Sequence, residues 1–393
     1  SWSGKQIAAD LDFSGEGLVF NNKGIAIQGI TNGAIWDSNF ARTRVPFIDK
    51  CTGGEKIELW VETAANSLFG VFTDPDPEEQ SPKRHGWFDA KVEKMQFGIF
   101  DKYIWHLYLD VRILLGLVKH LDKKSVRRIR IIKSLNQCIN AFAENRRNAQ
   151  ASRDCLKVEL EKSASASDLK VSAIGHAHID TGWLWPVRET VRKTARTFAT
   201  QLKIIEEYPQ YIFGASQPQH YQFMKDSYPE IYERVKTAVI EGNWECQGGM
   251  WVEADCNLIS GESMVRQLLH GKNFFKDEFN VEVDNLWLPD VFGYSAALPQ
   301  ILKKSGVDFF LTQKLSWSQF NEFPHQTFHW RGIDGTEILT HFPPENTYNS
   351  ELDTQFLLPA QSGFKEKDKL DEFISLFGVG DGGGGPKPEN IEL

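Results

Sequence analysis

The fold of this chain is set by the stretch from residue 169 to residue 186, which reads LKVSAIGHAHIDTGWLWP. Its first part, residues 170–174, reads as a β-strand. A His-x-His-x-Asp row follows, and Pro186 then opens a helix that we expect to reach about Tyr208, because proline is favoured at the first helical position. The stretch therefore predicts a strand, a reactive loop and a helix in succession.

The same alternation of strand and helix recurs further along the chain. More strands are predicted at residues 211–214, 243–246, 285–288 and 308–311, and more helices at 231–240, 263–279 and 298–304. Strands that alternate with helices indicate a parallel sheet with crossover helices, either open or closed into a barrel. We therefore expect residues 169–393 to form a catalytic α/β domain, a parallel β/α barrel-like unit.

The residues before this domain predict two other units. Residues 1–73 contain short apolar runs between turn signals, at 17–20, 24–27, 34–36, 44–47, 56–61 and 68–72, which favours a small β-sandwich. Residues 74–82 are polar and rich in proline, as in a linker. From Trp87 to about Leu160 apolar residues recur at three- and four-residue steps, so residues 74–168 are predicted to be a linker and a helical segment.

The composition of the 393 residues disfavours several classes of protein. The formal net charge of −9 argues against a nucleic-acid partner, which would require a basic face. No stretch approaches about 18 uninterrupted apolar residues, so no membrane span is expected. The five cysteines form no Cys-x-x-Cys pair, which disfavours a disulfide framework and a cysteine-type zinc site.

The first residues lack the apolar segment of a signal peptide. We therefore expect a cytoplasmic protein with reduced thiols, or a vacuolar protein that arrives by a route without a signal peptide. The chain does not open with methionine, and the compartment stays open for that reason.

Reactive residues are expected beyond the carboxyl ends of the parallel strands, where the active sites of such folds lie. His176, His178 and Asp180 follow the first strand, and in an extended chain their two-residue period points all three the same way. Neutral imidazole and carboxylate suit zinc, so the row predicts a metal site in preference to a hydrogen-bonded polar turn.

Three further carboxylates follow later strands. Asp255 comes after the third strand, with Glu253 as a competing candidate and a helix cap as the alternative role. Asp290 follows the fourth strand, either as a catalytic carboxylate or as the partner of a metal ligand. Asp381 begins a run of four glycines that lacks the Gly-Lys-Ser/Thr of a phosphate loop, and we interpret it as a ligand-facing turn rather than a flexible tail.

Four motifs in this order resemble glycoside hydrolase family 38, the zinc-dependent retaining α-mannosidases, and most of all its cytosolic and vacuolar branch. They are Gly175-His176-Ala177-His178-Ile179-Asp180-Thr181-Gly182-Trp183, Gly249-Met250-Trp251-Val252-Glu253-Ala254-Asp255, Trp287-Leu288-Pro289-Asp290-Val291-Phe292-Gly293-Tyr294-Ser295 and Gly380-Asp381-Gly382-Gly383-Gly384-Gly385-Pro386. The joint occurrence of the motifs is highly specific. The β and helical segments before them also resemble the region that precedes the catalytic domain in that branch.

The resemblance implies roles for individual residues. His178, Asp180 and Asp255 would bind zinc, and Asp255 would also be the nucleophile. Asp381 would be the acid/base. Asp290 is the second candidate for that role and otherwise a substrate-binding residue.

The implied reaction is the hydrolysis of terminal α-D-mannosyl residues of oligomannosides by a retaining exo-α-mannosidase. Trp183 would stack on the mannose ring, and zinc would hold sugar hydroxyls during a double displacement by two carboxylates. The family's fourth zinc ligand is a histidine further along than Leu393, so the resemblance implies a catalytic domain that is incomplete at its C-terminal end. Within the chain, His176 and His341 are the possible substitutes.

Two other functions stay open. A metal-dependent amidohydrolase also has His-x-His after an early barrel strand, but it needs further histidines after later strands, where this chain has aspartates. A non-catalytic carbohydrate-binding protein would bind glycan with the β segment. The 12 tryptophans suit sugar stacking, although we expect most of them to lie in the core.

Overall fold

The computed structural model describes residues 2–33, 38–70, 91–145, 147–165 and 168–393, so the predicted strand at 34–36 and the predicted linker at 74–82 lie outside the described residues. The described strands are β1 (Ile7–Asp12), β2 (Glu16–Asn21), β3 (Ala26–Thr31), β4 (Arg44–Ile48), β5 (Leu59–Ala64), β6 (Lys94–Ile99), β7 (Lys170–His176), β8 (Phe213–Ala215), β9 (Trp244–Cys246), β10 (Asn285–Leu288), β11 (Phe309–Thr312), β12 (Thr327–Arg331), β13 (Glu337–His341) and β14 (Glu372–Phe377).

The described helices are α1 (Lys102–His120), α2 (Val126–Glu144), α3 (Ala149–Asp154), α4 (Lys157–Leu160), α5 (Val187–Glu207), α6 (Pro218–Ser227), α7 (Pro229–Glu241), α8 (Gly261–Phe279), α9 (Leu298–Lys304), α10 (Thr354–Gly363) and α11 (Pro388–Glu392). Short 3-10 helices span Ser38–Phe40 and Lys314–Trp317. None of these described helices combines the length and the apolar character that crossing a membrane requires.

The N-terminal domain consists of two three-stranded antiparallel sheets, in the strand orders β4-β1-β6 and β3-β2-β5. Its core contains Ala9, Leu11, Val19, Ile30 and Val45, which come from strands of both sheets. The predicted small β-sandwich is therefore confirmed.

β6 extends this domain beyond residue 73, into a stretch for which the apolar spacing predicts helix. It pairs with β1 from Ile7↔Ile99 to Asp12↔Lys94. The spacing is ambiguous here, because Met95, Phe97 and Ile99 also alternate with the two-residue period of a strand. The predicted strand at 68–72 is wrong over residues 68–70, which form a turn, and residues 71–72 lie outside the described residues.

Helices α1 to α4 follow as a small helical layer. Asp101 accepts hydrogen bonds from the first turn of α1, and Ser125 does the same for α2, which explains where these two helices begin. Leu114, Ile131 and Leu156 pack together in the core of the layer.

The third unit contains eight strands in two four-stranded sheets, in the orders β14-β7-β8-β9 and β10-β11-β13-β12. All paired strands are parallel except β12, which pairs antiparallel with β13. Just after β9, the backbone N–H of Gly249 donates to the carbonyl of Asn285 in β10 at 3.1 Å and connects the two sheets. Both sheets contribute to one core cluster of Ile174, Trp287, Leu311, Tyr348, Ile374 and Leu376. The sheets thus share an interior, in the barrel-like manner predicted.

α5 joins this unit to the N-terminal domain. The ammonium of Lys193, which is fully buried, lies 2.6 Å from the carboxylate of Glu16 in β2 and donates to the carbonyl of Leu68 at 2.8 Å. Gly29 of β3 lies against the same helix. An added Cβ there would come within 2.7 Å of the Cβ of Arg196, so only glycine permits this approach. The two domains are therefore connected by a close and charged contact.

Candidate active site

Four side chains meet beyond the carboxyl ends of three parallel strands. His178 and Asp180 follow β7, Asp290 follows β10 and Asp381 follows β14. One possible ligand atom from each residue lies within 4.8 Å of the others. The imidazole is buried and the three carboxylates are partly exposed, so the group is accessible from solvent.

The two ring nitrogens of His178 face different carboxylates. Nδ1 lies 2.5 Å from Oε2 of Glu253, and the other carboxylate oxygen, Oε1, accepts a hydrogen bond from the hydroxyl of Ser216. Nε2 lies 3.3 Å from Oδ1 of Asp180 and 3.5 Å from Oδ2 of Asp290. Burial opposes the charged form of this imidazole, but the surrounding carboxylates, Glu253 foremost, raise its pKa well above the ordinary value of 6.5.

This arrangement fits a metal ion. When Nδ1–H donates to Glu253, the lone pair of Nε2 points at the carboxylates of Asp180 and Asp290. These negative groups repel one another unless a proton or a cation lies between Nε2 and the two carboxylates. A carboxylate that fixes the tautomer of a ligating histidine is a common outer partner in zinc sites. Imidazole nitrogen and carboxylate oxygen are both donors that zinc accepts. The residues present therefore suit zinc.

Tyr348 connects two carboxylates of the group. Its hydroxyl lies 2.7 Å from Oδ1 of Asp290 and is also hydrogen-bonded to Asp381. Its backbone carbonyl accepts a hydrogen bond from Nε2 of His176 at 2.6 Å. Burial lowers the pKa of His176 to about 4, so this imidazole is neutral at pH 7. The first histidine of the His-x-His-x-Asp row thus lies outside the four-residue group and holds the backbone of Tyr348.

Asp290 and Asp381 are both hydrogen-bonded to the hydroxyl of Tyr348, but their pKa values are shifted in opposite directions. Burial raises the pKa of Asp381 above its ordinary value of 3.8, although His178 and Tyr348 act in the other direction. At Asp290 burial is outweighed by hydrogen bonds with His178, Lys314 and Tyr348, and the pKa falls to about 2. The ammonium of Lys314 lies 2.7 Å from Oδ1 of Asp290. Asp381 is therefore the one suited to hold a proton.

The glycine-rich segment after β14 is a packed turn. The backbone N–H of Asp180 donates to the carbonyl of Asp381 at 3.0 Å, and Ile179 pairs with Gly382 in an isolated antiparallel bridge. Val379 and Gly385 exchange two backbone hydrogen bonds of 3.0 and 3.1 Å, which close the turn. The turn thus places Asp381 in the four-residue group, which agrees with the prediction of a ligand-facing turn.

Asp255 is the predicted metal ligand that the structure does not bring to this group. Its side chain is exposed, and its oxygens accept hydrogen bonds from the backbone N–H groups of Asn257 at 2.8 Å and Leu258 at 3.1 Å. Asp255 thus stabilises a local turn, close to the capping role that its position after a strand also allows. Glu253, two residues earlier, contacts the group through His178.

Trp183 lies in the same loop as Asp180. It is 48% exposed, and its ring meets that of Trp185 edge to face, with the centroids 5.6 Å apart. A half-exposed indole in such a loop suits contact with the apolar face of a sugar ring.

No motif in the sequence identifies Tyr348 and Lys314 as site residues. Lys314 lies just after β11 and Tyr348 lies in the loop after β13. Their position after the carboxyl ends of parallel strands is the one feature of the sequence that could have indicated a role in the site. A single tyrosine or lysine in a polar loop is too common for this signal to be specific.

The group contains one histidine. Among the described residues, His220, His270, His325, His329 and His341 all lie outside it. A metal-dependent amidohydrolase needs additional histidines after later strands, so the geometry disfavours that alternative.

Comparison with known proteins gives matches along the whole chain. Residues 168–393 match the family model for the glycosyl hydrolases family 38 N-terminal domain, and residues 1–91 match the model for the alpha-mannosidase jelly roll domain. The chain is 41% identical to alpha-mannosidase G of Dictyostelium discoideum, over 100% of this chain and 35% of that protein.

Two more relatives are similar over nearly all of the chain. Alpha-mannosidase 2C1 of Homo sapiens is 38% identical over 98% of this chain and 36% of its own length. An alpha-mannosidase of Saccharomyces cerevisiae is 33% identical over 99% of this chain and 36% of its own length. The chain thus spans about a third of the length of these curated relatives. Because the family 38 match covers more than half of its residues, the chain belongs to glycosyl hydrolase family 38.

Proposed function

We propose that this chain carries the catalytic site of a retaining exo-α-mannosidase that removes terminal α-D-mannosyl residues from oligomannosides with the help of zinc. The observation that carries the proposal is the meeting of His178, Asp180, Asp290 and Asp381 in a chain of family 38. The three relatives described above are named alpha-mannosidases, which supports the same reaction class.

We assign His178 and Asp180 to the zinc ion, with Asp255 as a third ligand by the family resemblance. Zinc, when bound, would hold sugar hydroxyls and stabilise charge near the anomeric carbon. Glu253 keeps His178 in the tautomer whose Nε2 is free to coordinate. Asp290, ionised beside Lys314, is assigned to sugar hydroxyls, and Trp183 is assigned to the apolar face of the ring.

The reaction proceeds in two displacements. A carboxylate oxygen of Asp255 attacks the anomeric carbon, the bond from that carbon to the glycosidic oxygen breaks, and Asp381 gives its proton to that oxygen. Water then attacks the same carbon, Asp381 accepts a proton from the water, and the carboxylate of Asp255 leaves. Burial of Asp381 supports its role because it raises the pKa of the acid.

The nucleophilic role of Asp255 requires a rearrangement of its turn. Its carboxylate now accepts hydrogen bonds from Asn257 and Leu258 at the surface. These bonds must be exchanged for contacts with the metal and the sugar before the carboxylate faces an anomeric carbon. We propose that the bound metal and substrate supply the contacts that replace them.

The proposal is tested with the protein expressed from its complete reading frame. Hydrolysis of 4-nitrophenyl α-D-mannopyranoside is compared with hydrolysis of the β anomer and of an N-acetyl amide, and nuclear magnetic resonance identifies the first sugar product. We expect turnover of the α anomer alone, with α-mannose formed first. Turnover of the amide alone would support the amidohydrolase, and mannoside binding without turnover would support a carbohydrate-binding protein.

A further inference from the structure

The loop that carries Asp381 has a backbone that its sequence does not favour by itself. Asp381, Gly383, Gly384 and Gly385 have φ angles of 56°, 81°, 100° and 66°, all in the left-handed region. A residue with a Cβ persists in that region only where its surroundings hold it, and glycine populates many other conformations equally well. The position of Asp381 therefore depends on what contacts this loop.

The N-terminal domain contacts the loop through Arg42, just before β4. Nη1 of the guanidinium donates to the carbonyl of Gly384 at 2.7 Å, and Nη2 donates to those of Gly385 and Pro386, both at 3.0 Å. Burial lowers the pKa of Arg42 to about 10, which leaves the guanidinium charged at neutral pH. A planar, charged group directed at three consecutive carbonyls fixes their orientation better than a single neutral donor.

Leu68 and α5 hold the loop on its other sides. An added Cβ on Gly382 would lie 1.7 Å from the carbonyl oxygen of Leu68, so the loop rests directly on the backbone of the N-terminal domain. From α5, Nε2 of Gln201 donates to the carbonyl of Gly384 at 2.7 Å, and Oγ1 of Thr197 accepts from its N–H at 2.8 Å. The loop thus lies between the N-terminal domain and α5.

From these contacts we infer that the N-terminal domain is part of the catalytic unit, with Arg42 as a positioning residue for Asp381. The inference rests on the proposed role of Asp381 as the acid. Without the guanidinium, the glycines gain other conformations, and Asp381 is displaced from the place where it donates its proton.

The test compares Arg42→Ala and Arg42→Lys with Arg44→Ala in the protein expressed from its complete reading frame. Arg44 belongs to the same domain, but its guanidinium lies over the rings of Phe100, at 4.0 Å, and Trp105, at 5.2 Å. Turnover is measured on an α-linked mannobiose, whose leaving group needs a proton, and on 2,4-dinitrophenyl α-mannoside, whose leaving group does not.

For Arg42→Ala we expect kcat on the disaccharide to fall about 100-fold with little change in KM, and kcat on the aryl mannoside to fall far less. Added guanidinium ion should restore part of the loss. Arg44→Ala should leave both activities within about threefold of the wild type. Equal losses on the two substrates would overturn the inference, because they would show that Arg42 does not act through the acid.

Hydrogen exchange of peptides covering residues 378–387 separates this inference from the proposed function. Faster exchange confined to this segment in Arg42→Ala supports the contact between Arg42 and the loop even if the protein hydrolyses another substrate. Unchanged exchange overturns it. If Arg42→Ala does not fold, Arg42→Lys decides, because one ammonium cannot reproduce the planar contact with three carbonyls.

Discussion

Asp255, Asp290 and Asp381 are chemically the same side chain, yet their surroundings give them different properties. Asp381 is largely enclosed and has a raised pKa, whereas Asp290 lies beside Lys314 and has a pKa of about 2. Asp255 is exposed and stabilises a turn. These differences support the assignment of Asp381 as the acid and of Asp290 as the residue that contacts sugar hydroxyls. The assignment of Asp255 as the nucleophile rests on the family resemblance.

Asp255→Asn should abolish turnover, because an amide oxygen cannot replace the carboxylate as the nucleophile. The measurement is trapping with a fluorinated mannosyl inhibitor, followed by peptide mapping of the wild-type protein. The label should lie on Asp255. A label on Glu253, which contacts His178, or on Asp290 would contradict the assignment.

Tyr348→Phe should lower kcat about 10- to 100-fold, because Asp290 and Asp381 lose the hydroxyl that fixes them relative to each other. Tyr208→Phe is the matched control, since its hydroxyl is bonded at the surface to Glu392 at 3.0 Å. Steady-state kinetics on an α-mannoside compare the two variants. Equal activity in both would show that Tyr348 does not position the carboxylates.

At the residue scale, the sequence predicts part of this site. His178 and Asp180 are recognisable because a two-residue period after a strand places both on one side of the chain. Tyr348 is not recognisable, because it follows β13 and Asp290 follows β10. Its hydroxyl reaches Asp290 only when β10, β11 and β13 lie side by side in the sheet. The sequence alone also leaves Glu253 and Asp255 as competitors, and here Glu253 contacts His178.

At the scale of helices and strands, the elements with distinct boundaries are predicted well. β7 to β11 appear where short apolar runs lie between turn signals, and α9 has the predicted bounds, residues 298–304. α6 is not predicted, because it is short, begins at Pro218 and has no side-chain cap at Gln217. The antiparallel β12 is not predicted either, since the alternation of strands and helices anticipates parallel strands alone.

The contact between β2 and α5 gives a prediction at the same scale. Glu16→Gln should lower the free energy of unfolding by about 3–5 kcal/mol, because Lys193 and Arg196 then lack this buried carboxylate. Glu62→Gln is the control. Its carboxylate pairs with Arg192 at a partly exposed position, and its loss should cost about 0–1 kcal/mol. Urea denaturation measures both variants, and equal losses would contradict the importance of the buried group.

At the scale of the whole molecule, the site depends on contacts between residues far apart in the sequence. The loop of Asp381 packs against α5, against the loop after β7 and against Arg42 of the N-terminal domain. The order of the motifs predicts that His178 and Asp381 belong to one site. The contact with Arg42 cannot be predicted in this way, because no motif surrounds that residue and the packing of two domains determines its partners.

Three buried histidines should make the stability of the molecule depend on pH. Burial lowers the pKa of His220 to about 3 and those of His176 and His341 to about 4, against an ordinary value of 6.5. The unfolded chain therefore binds protons that the native state does not, and stability should fall as the pH drops from about 6.5 toward 4. Each histidine contributes a slope of about 1.4 kcal/mol per pH unit.

Urea denaturation between pH 7.5 and 4.5 measures this slope for the wild type and for His341→Gln. Glutamine keeps a polar group near Thr327, the 2.9 Å partner of His341, but does not titrate. The variant should lose about 1.4 kcal/mol per pH unit of the slope. An unchanged slope would show that His341 is not a source of the pH dependence.

If His178 and Asp180 belong to a metal site that hydrolyses α-mannosides, hydrolysis by the whole molecule must depend on the metal. The most direct measurement is the hydrolysis of an aryl α-D-mannoside by the protein expressed from its complete reading frame, before and after chelation and after zinc is added back. The assignment of these residues to a metal site predicts that chelation abolishes hydrolysis, that about one zinc ion per chain restores it, and that His178→Ala stays inactive in zinc. Full hydrolysis by the metal-free protein, or an active His178→Ala variant, would contradict it.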